Sequence, residues 1–212
     1  MTVAVTGPFA SGKSTFVKTL GELGAETVSA DEIVHDLLAE SGEAIDRVVE
    51  RFGREVLGER GVDRRALGRE VFGDPEALRD LEEILHPLVS REVKRRIDAS
   101  GADLFVAEIP LLFEGARKGA FDYTVALTAP EERRRAWAGE RGVDEVALRA
   151  IEARQLPQEE KARLADVVVQ NAGGRDKLRE QAEELREQIS RERTAARGVG
   201  TAGRESDAGA WD

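Results

Sequence analysis

The sequence predicts an α/β protein: a three-layer P-loop fold of about five parallel strands with helices on both faces, interrupted by a helical insertion. Three observations carry this. Short apolar runs rich in β-branched residues, Val3-Ala4-Val5 first among them, alternate with amphipathic stretches of helical period, as a parallel sheet built from βαβ units requires. A glycine-rich loop, Gly7 to Ser14, lies where the first apolar run gives way to the first helical period. Between about residues 31 and 100 the strand signal stops and the periodicity is almost wholly helical.

The elements follow in order. A buried strand is predicted over 2–6, a helix over 13–23 and a second short strand over 26–29, which closes one βαβ unit. The helical block contains a long stretch over 75–97, with Asp74 as its N-cap because a short carboxylate can accept from the first free amides. The parallel-sheet signal resumes at 104–107, 123–127 and 167–169, with helical segments between. A charged helix over 175–193 precedes the end "ARGVGTAGRESDAGAWD", whose Gly, Ala and charge without periodicity predict a disordered tail over 194–212. No internal repeat is visible.

Composition narrows the function. The chain has 212 residues, of which 41% are hydrophobic, enough for one sizeable core and a small inserted subdomain. No apolar run approaches the roughly 20 residues of a membrane span, and the start lacks a signal peptide's pattern, so a cytoplasmic address is expected. With no cysteine and two histidines, disulfides, thiolate chemistry and a multi-histidine metal site are excluded or disfavoured. The net charge of −10 speaks against broad binding to nucleic acid or to an anionic membrane. An anionic substrate therefore needs a local basic site. The clusters Arg64-Arg65, Arg95-Arg96 and Arg133-Arg134-Arg135 read first as solvated helix faces.

Gly7-x-x-x-x-Gly12-Lys13-Ser14 satisfies the phosphate-loop pattern at every fixed position. The glycines let the backbone turn so that loop N–H groups, from Gly7, Phe9, Ala10 and Ser11 to Thr15, and the helix N-terminus face phosphate oxygens, with Pro8 part of the loop but without an N–H to donate. Lys13 would neutralise the β and γ phosphates of ATP, and the Ser14 hydroxyl would take a Mg²⁺ position. A GTPase is disfavoured: no Asn-Lys-x-Asp occurs, and the one Asp-x-x-Gly, Asp98 to Gly101, falls at a helix end. The acid after the third strand is Glu108, followed at once by Ile109-Pro110, unlike the two-acid ending of motor ATPases. A kinase needs an acid beside the acceptor hydroxyl, and Asp31, just after the second strand, is so placed. Carboxyl ends of neighbouring strands share one crevice in such sheets, so Asp31 and the loop are expected to face one pocket. The plainer reading makes Asp31 a helix N-cap.

The set "VTGPFASGKST", "SAD", "LHPLV", "EIPLLFE" and "RQLPQEEKARLADVVVQNAG", with its spacings, resembles the dephospho-CoA kinases over nearly the whole chain up to about residue 190. The resemblance implies ATP-dependent phosphorylation of the ribose 3′-hydroxyl of dephospho-CoA, with Mg²⁺. It implies a fold like that of nucleoside monophosphate kinases: a core over 1–30 and 101–193, a lid at about 130–160 within it, and a substrate-binding insertion over 31–100. Asp31 then matches the general base, His86, Pro110, Leu111 and Glu114 match segments lining the acceptor site, and Asn171 matches the adenine side. The lid arginine is Arg141, with Arg133 to Arg135 as alternatives. Two positions depart from the pattern: Ser29 stands where a second acid is usual, and Glu108 where an aspartate is expected.

Plainer readings stand beside these. His86 reads otherwise as a half-buried helix residue next to a proline, Leu111 to Phe113 as core, Lys161 and Asp166 as structural, and Trp137 as packing for the lid helix. Rival functions are another small-molecule P-loop kinase, acting on a nucleoside or nucleotide, and a nucleotide-gated switch without turnover. Oligomeric state is left open.

Overall fold

A computed structural model describes residues 1–39, 41–71, 73–115 and 118–198. The chain divides into two compact units, one of Met1–Val28 with the described chain from Ser100 on, the other of Ser29–Ala99. In chain order the elements are β1 (Thr2–Thr6), α1 (Lys13–Glu22), β2 (Glu26–Ser29), α2 (Ala30–Ala39), α3 (Glu43–Phe52), β3 (Leu57–Gly58), β4 (Gly61–Val62), α4 (Arg64–Val71) and α5 (Pro75–Ala99). There follow β5 (Phe105–Glu108), β6 (Tyr123–Thr128), α6 (Glu131–Glu140), α7 (Glu145–Glu152), α8 (Gln158–Leu164), β7 (Val167–Gln170) and α9 (Arg175–Gly198).

The first unit is built on a five-stranded sheet in the order β2-β5-β1-β6-β7. β1 lies at its centre, parallel to β5 and β6, and β7 runs parallel to β6. The register sets Val5 opposite Glu108 on one side and Val125 on the other, so β5 ends beside the end of β1 while β6 runs on to Thr128. Val3, Val5, Val106, Val125 and Leu127 form a buried cluster with Phe16 and Leu20 of α1. Leu178, Ala182, Leu185 and Ile189 of α9 join the same cluster, at the spacing of one helix face. Each large side chain so buried contributes roughly 1.5–3 kcal/mol, which holds the loop-bearing strand rigid. Asp166 accepts from the Thr124 amide at 2.8 Å and hydroxyl at 2.6 Å, fixing the start of β7 against β6.

The second unit has its own core of Leu38, Ala44, Val48, Val56, Val62, Leu67, Leu85 and Leu88. Asp74 Oδ1 accepts from the amides of Glu76 (2.9 Å) and Ala77 (3.1 Å), capping the 25-residue α5, which carries Pro87 inside it.

Three details differ from the expectation. The block is not wholly helical, because β3 and β4 pair as a small antiparallel hairpin. Two-residue strands leave no period to read. The third strand is shifted one residue, to Phe105–Glu108, since its last residue is a buried acid. Helix α9 continues past 193 to Gly198, its alanines and arginines being good helix formers. The rest of the stretch read as a tail, residues 199–212, lies outside the described residues. No helix among the described residues is long and apolar enough to cross a membrane.

Candidate active site

The loop from Gly7 to Ser14 joins β1 to α1 and owes its shape to backbone conformations that side chains rarely adopt. Gly7 has φ 147° and Gly12 φ 93°. A Cβ on Gly7 would overlap the Leu127 carbonyl, and one on Gly12 would overlap the Asn171 amide. That amide donates to the Ser11 carbonyl at 3.0 Å from a buried position after β7. Ala10, with φ 57°, is the only non-glycine residue at positive φ among the described residues, a conformation costing roughly 1–2 kcal/mol. It is held by packing with Ala138 of α6 and Leu148 of α7.

Lys13 is 8% exposed, and its Nζ donates to the Pro8 carbonyl at 2.9 Å, so the ammonium folds back over the loop. Ser14 Oγ donates to Glu108 Oε1 at 2.9 Å, from the first turn of α1 to the end of β5. Ser11 is fully buried, and its Oγ has no hydrogen-bond partner among the described residues. Beside the loop opens a cleft of about 560 Å³, lined among others by Ala10, Thr15, Trp137, Arg141, Asn171 and Arg175.

The four candidate lid arginines, Arg133, Arg134, Arg135 and Arg141, differ in what they do. Arg133 donates to the Gly173 carbonyl, Arg134 is buried against Glu152, and Arg135 pairs with Glu131 at 2.6 Å. Arg141 lies over the ring of the loop residue Phe9, 5.9 Å from its centroid, a cation–π contact that brings its charge beside the phosphate loop. Trp137, like Phe9 and Val143, packs against the buried cluster of Ala10, Ala138 and Leu148, its ring under the Arg133 guanidinium.

After β5 the chain turns through Pro110 to Gly115. Leu112 is fully buried core, whereas Pro110, Leu111 and Phe113 are half-buried. Glu114 turns inward: its Oε1 accepts from Lys161 Nζ at 2.7 Å and from the Leu156 amide at 2.8 Å. Lys161 has no exposed surface and also donates to the Pro110 carbonyl at 2.7 Å. Burial pushes its pKa down, and the Glu114 carboxylate opposes that shift.

In the second unit, Asp31 and His86 sit on helices. Helix α2 begins at Ala30, so Asp31 is inside its first turn rather than at the cap. Asp31 is exposed, with no hydrogen bond or ion pair among the described residues. His86 is half-buried in α5, its carbonyl accepting from Ser90 Oγ at 2.8 Å. Ser29 ends β2.

A model of the dephospho-CoA kinase family matches residues 1–177. The chain belongs to the dephospho-CoA kinase family. The dephospho-CoA kinase of Carboxydothermus hydrogenoformans is 40% identical over 185 residues, covering 84% of this chain and 89% of that protein. That of Aquifex aeolicus is 33% identical over 192 residues, covering 90% and 98%. Among solved structures, a Thermus thermophilus protein superposes with TM-score 0.75 at 34% identity, covering 88% of this chain and 97% of its own. The dephospho-CoA kinase of Campylobacter jejuni gives 0.67 at 27% identity, covering 91% and 98%. Shikimate kinase from Acinetobacter baumannii, at 17% identity, TM-score 0.55 and coverage of 90% and 93%, shares the fold.

Within this dephospho-CoA kinase family member, sequence reading singled out the loop, Glu108, Glu114 and Asn171 but gave Gln155 no role. Gln155 Oε1 accepts from the Phe9 amide at 2.9 Å. Nothing local in the sequence signals a contact across 146 residues.

Proposed function

We propose that this chain transfers the γ-phosphoryl group of ATP to the ribose 3′-hydroxyl of dephospho-CoA, giving coenzyme A and ADP. The observation that carries the reading is the loop itself, with a buried Lys13 folded over it and Ser14 tied to Glu108. The orphaned Ser11 hydroxyl supports it too, since a phosphate oxygen would satisfy that donor. Magnesium takes hard oxygen ligands and keeps several waters and phosphates, so two protein oxygens suffice. Ser14 Oγ and Glu108 Oε1, 2.9 Å apart, are such a pair and fit it. Bound there it would neutralise charge on the transferring phosphates.

The chain's own groups do the rest. Lys13 and the loop amides would hold the phosphates in line, and Arg141 would add positive charge as the loose transition state spreads its own. Arg133 to Arg135 are already engaged by Gly173, Glu152 and Glu131, which favours Arg141. The acceptor oxygen bonds to the γ phosphorus as the bond to the bridging oxygen breaks, and ADP leaves. Asp31 would orient the 3′-hydroxyl and take its proton. His86, Pro110, Leu111 and Glu114 would border the acceptor, Glu114 through a carboxylate also committed to Lys161. Residues 31–100 would form the acceptor-binding insertion, and closure of 130–160 would exclude water. The substrates are small and water-soluble, so we assign the reaction to the cytoplasm.

The test is ADP release with ATP and dephospho-CoA, using AMP and adenosine as control acceptors. Release specific to dephospho-CoA, lost in Lys13→Ala by several orders of magnitude while the melting temperature holds, is the expected result. Release with AMP or adenosine instead would mean a different small-molecule kinase. ATP binding with no acceptor-dependent release would mean a switch.

A further inference from the structure

One peptide group in the loop is held from both of its ends. The Pro8 carbonyl accepts from Lys13 Nζ at 2.9 Å and from the Ser11 amide at 3.3 Å. The Phe9 N–H of the same planar unit donates to Gln155 Oε1 at 2.9 Å. The next residue is Ala10, the strained left-handed alanine with φ 57°. Gln155 lies in the turn between α7 and α8 and is itself anchored. Its neighbour Leu156 donates to Glu114 at 2.8 Å, and Glu114 is locked by the buried Lys161 at 2.7 Å. Lys161 reaches on to the Pro110 carbonyl, which also accepts from Thr6 Oγ1 at 3.1 Å, at the end of the strand that carries the loop.

We propose that Gln155 is a positioning residue for the phosphate loop, fixing the Pro8–Phe9 peptide so that its carbonyl holds the Lys13 ammonium and the strained Ala10 keeps the cradle open. This rests on reading the loop as a phosphate cradle. Without the Gln155 acceptor the peptide keeps only its carbonyl-side bonds from Lys13 and Ser11, rotates more readily through ψ of Pro8 and φ of Phe9, and lets Ala10 leave the left-handed region more often. ATP binding must then restore that geometry at its own expense. Glu114 and Pro110, which would border the acceptor, lie at the far end of this chain of contacts and are held by Lys161 rather than by the Gln155 side chain, so acceptor affinity stays unchanged.

The test uses the full chain with Gln155→Leu, which removes the acceptor at similar size, and Gln155→Glu, which keeps an acceptor oxygen. In nucleotide-free protein, the Phe9 amide should exchange with solvent at least about tenfold faster in Gln155→Leu and stay protected in Gln155→Glu. The dissociation constant for ATP, by calorimetry, should rise about tenfold in Gln155→Leu, the scale of one hydrogen bond plus relieved strain. The KM for dephospho-CoA should stay within about twofold and the melting temperature within roughly 3 °C, because a half-buried side chain is exchanged. Adding Ala10→Gly to Gln155→Leu should recover ATP affinity at least about threefold, since glycine takes positive φ without strain. An ATP affinity within about twofold of wild type, a double variant as weak as the single one, or a parallel loss of acceptor affinity and melting temperature overturns the proposal. If the wild-type chain binds no ATP, the functional reading falls instead, and Phe9 protection equal in Gln155→Leu and wild type overturns the positioning role independently.

Discussion

Ser14 Oγ donates to Glu108 Oε1 over 2.9 Å, tying the first turn of α1 to the last residue of β5. A hydroxyl in the first turn of α1 and a carboxylate at the end of β5 are the two protein oxygens proposed above for magnesium. Glu108→Gln keeps the shape and the hydrogen-bond acceptor but removes the charge. The rate should fall on the order of 10²-fold, and the magnesium concentration at half-maximal rate should rise, with little change in melting temperature. Rate against magnesium concentration for both proteins measures this. A rate within about threefold of wild type would remove Glu108 from the site.

Lys161, fully buried, donates to Glu114, whose side chain is 17% exposed. Breaking such a pair from one side leaves a buried charge without compensation, at a cost of about 3–5 kcal/mol. Lys161→Met should therefore destabilise the fold by that order in urea denaturation. Adding Glu114→Gln removes the stranded charge and should recover most of the loss. No recovery would mean that the cost lies in packing rather than charge.

Glu92 gives the pH dependence. Its carboxylate takes two bonds of 2.7 Å from Arg95 and one of 2.8 Å from Arg96. The Arg95 hydrogen bonds hold its pKa down at about 2, with Arg96 helping against the opposing effect of burial. A carboxylate with a depressed folded pKa adds stability that is complete above its unfolded value of about 4.5 and disappears as pH falls through about 2. With both arginines near solvent the pair is worth about 1 kcal/mol. Glu92→Gln should thus be less stable by that amount at neutral pH, and the two stability curves should meet as pH falls from about 4.5 to 2. A gap that stays constant down to pH 2 would show that the charge contributes nothing.

What the sequence made legible is what short-range patterning controls. The central strand Thr2–Thr6, the loop and the start of α1 at Lys13 follow from an apolar run, two glycines and a helical period. The hairpin of Leu57–Gly58 with Gly61–Val62 was not legible, because two residues carry no alternation. At the site, Gly12 and Lys13 announce themselves by spacing, whereas Lys161 and Gln155 matter through partners far along the chain. Lys161 lies 51 residues from the carbonyl it holds, and no period or motif on a helix of charged residues marks it as the buried one.

Asp31 is where two readings make opposite forecasts. Helix α2 starts at Ala30, so the N-cap role that would have made Asp31 structural is not its own. What it retains as a structural residue is the attraction of a carboxylate to a helix N-terminus, about 0.3–1 kcal/mol at an exposed position. Asp31→Asn should therefore change stability by no more than that and leave ATP affinity within about twofold. If Asp31 takes the acceptor's proton, turnover should fall roughly 10²-fold or more, since amide cannot accept it. Melting temperature, ATP binding and dephospho-CoA-dependent rate on one preparation separate the two. A rate that survives within about threefold, where tenfold is 1.4 kcal/mol, would exclude Asp31 as the base. The next carboxylates in line are then Glu108 and Glu114, and of these Glu114 is the weaker candidate because its Oε1 is already held by Lys161 and the Leu156 amide.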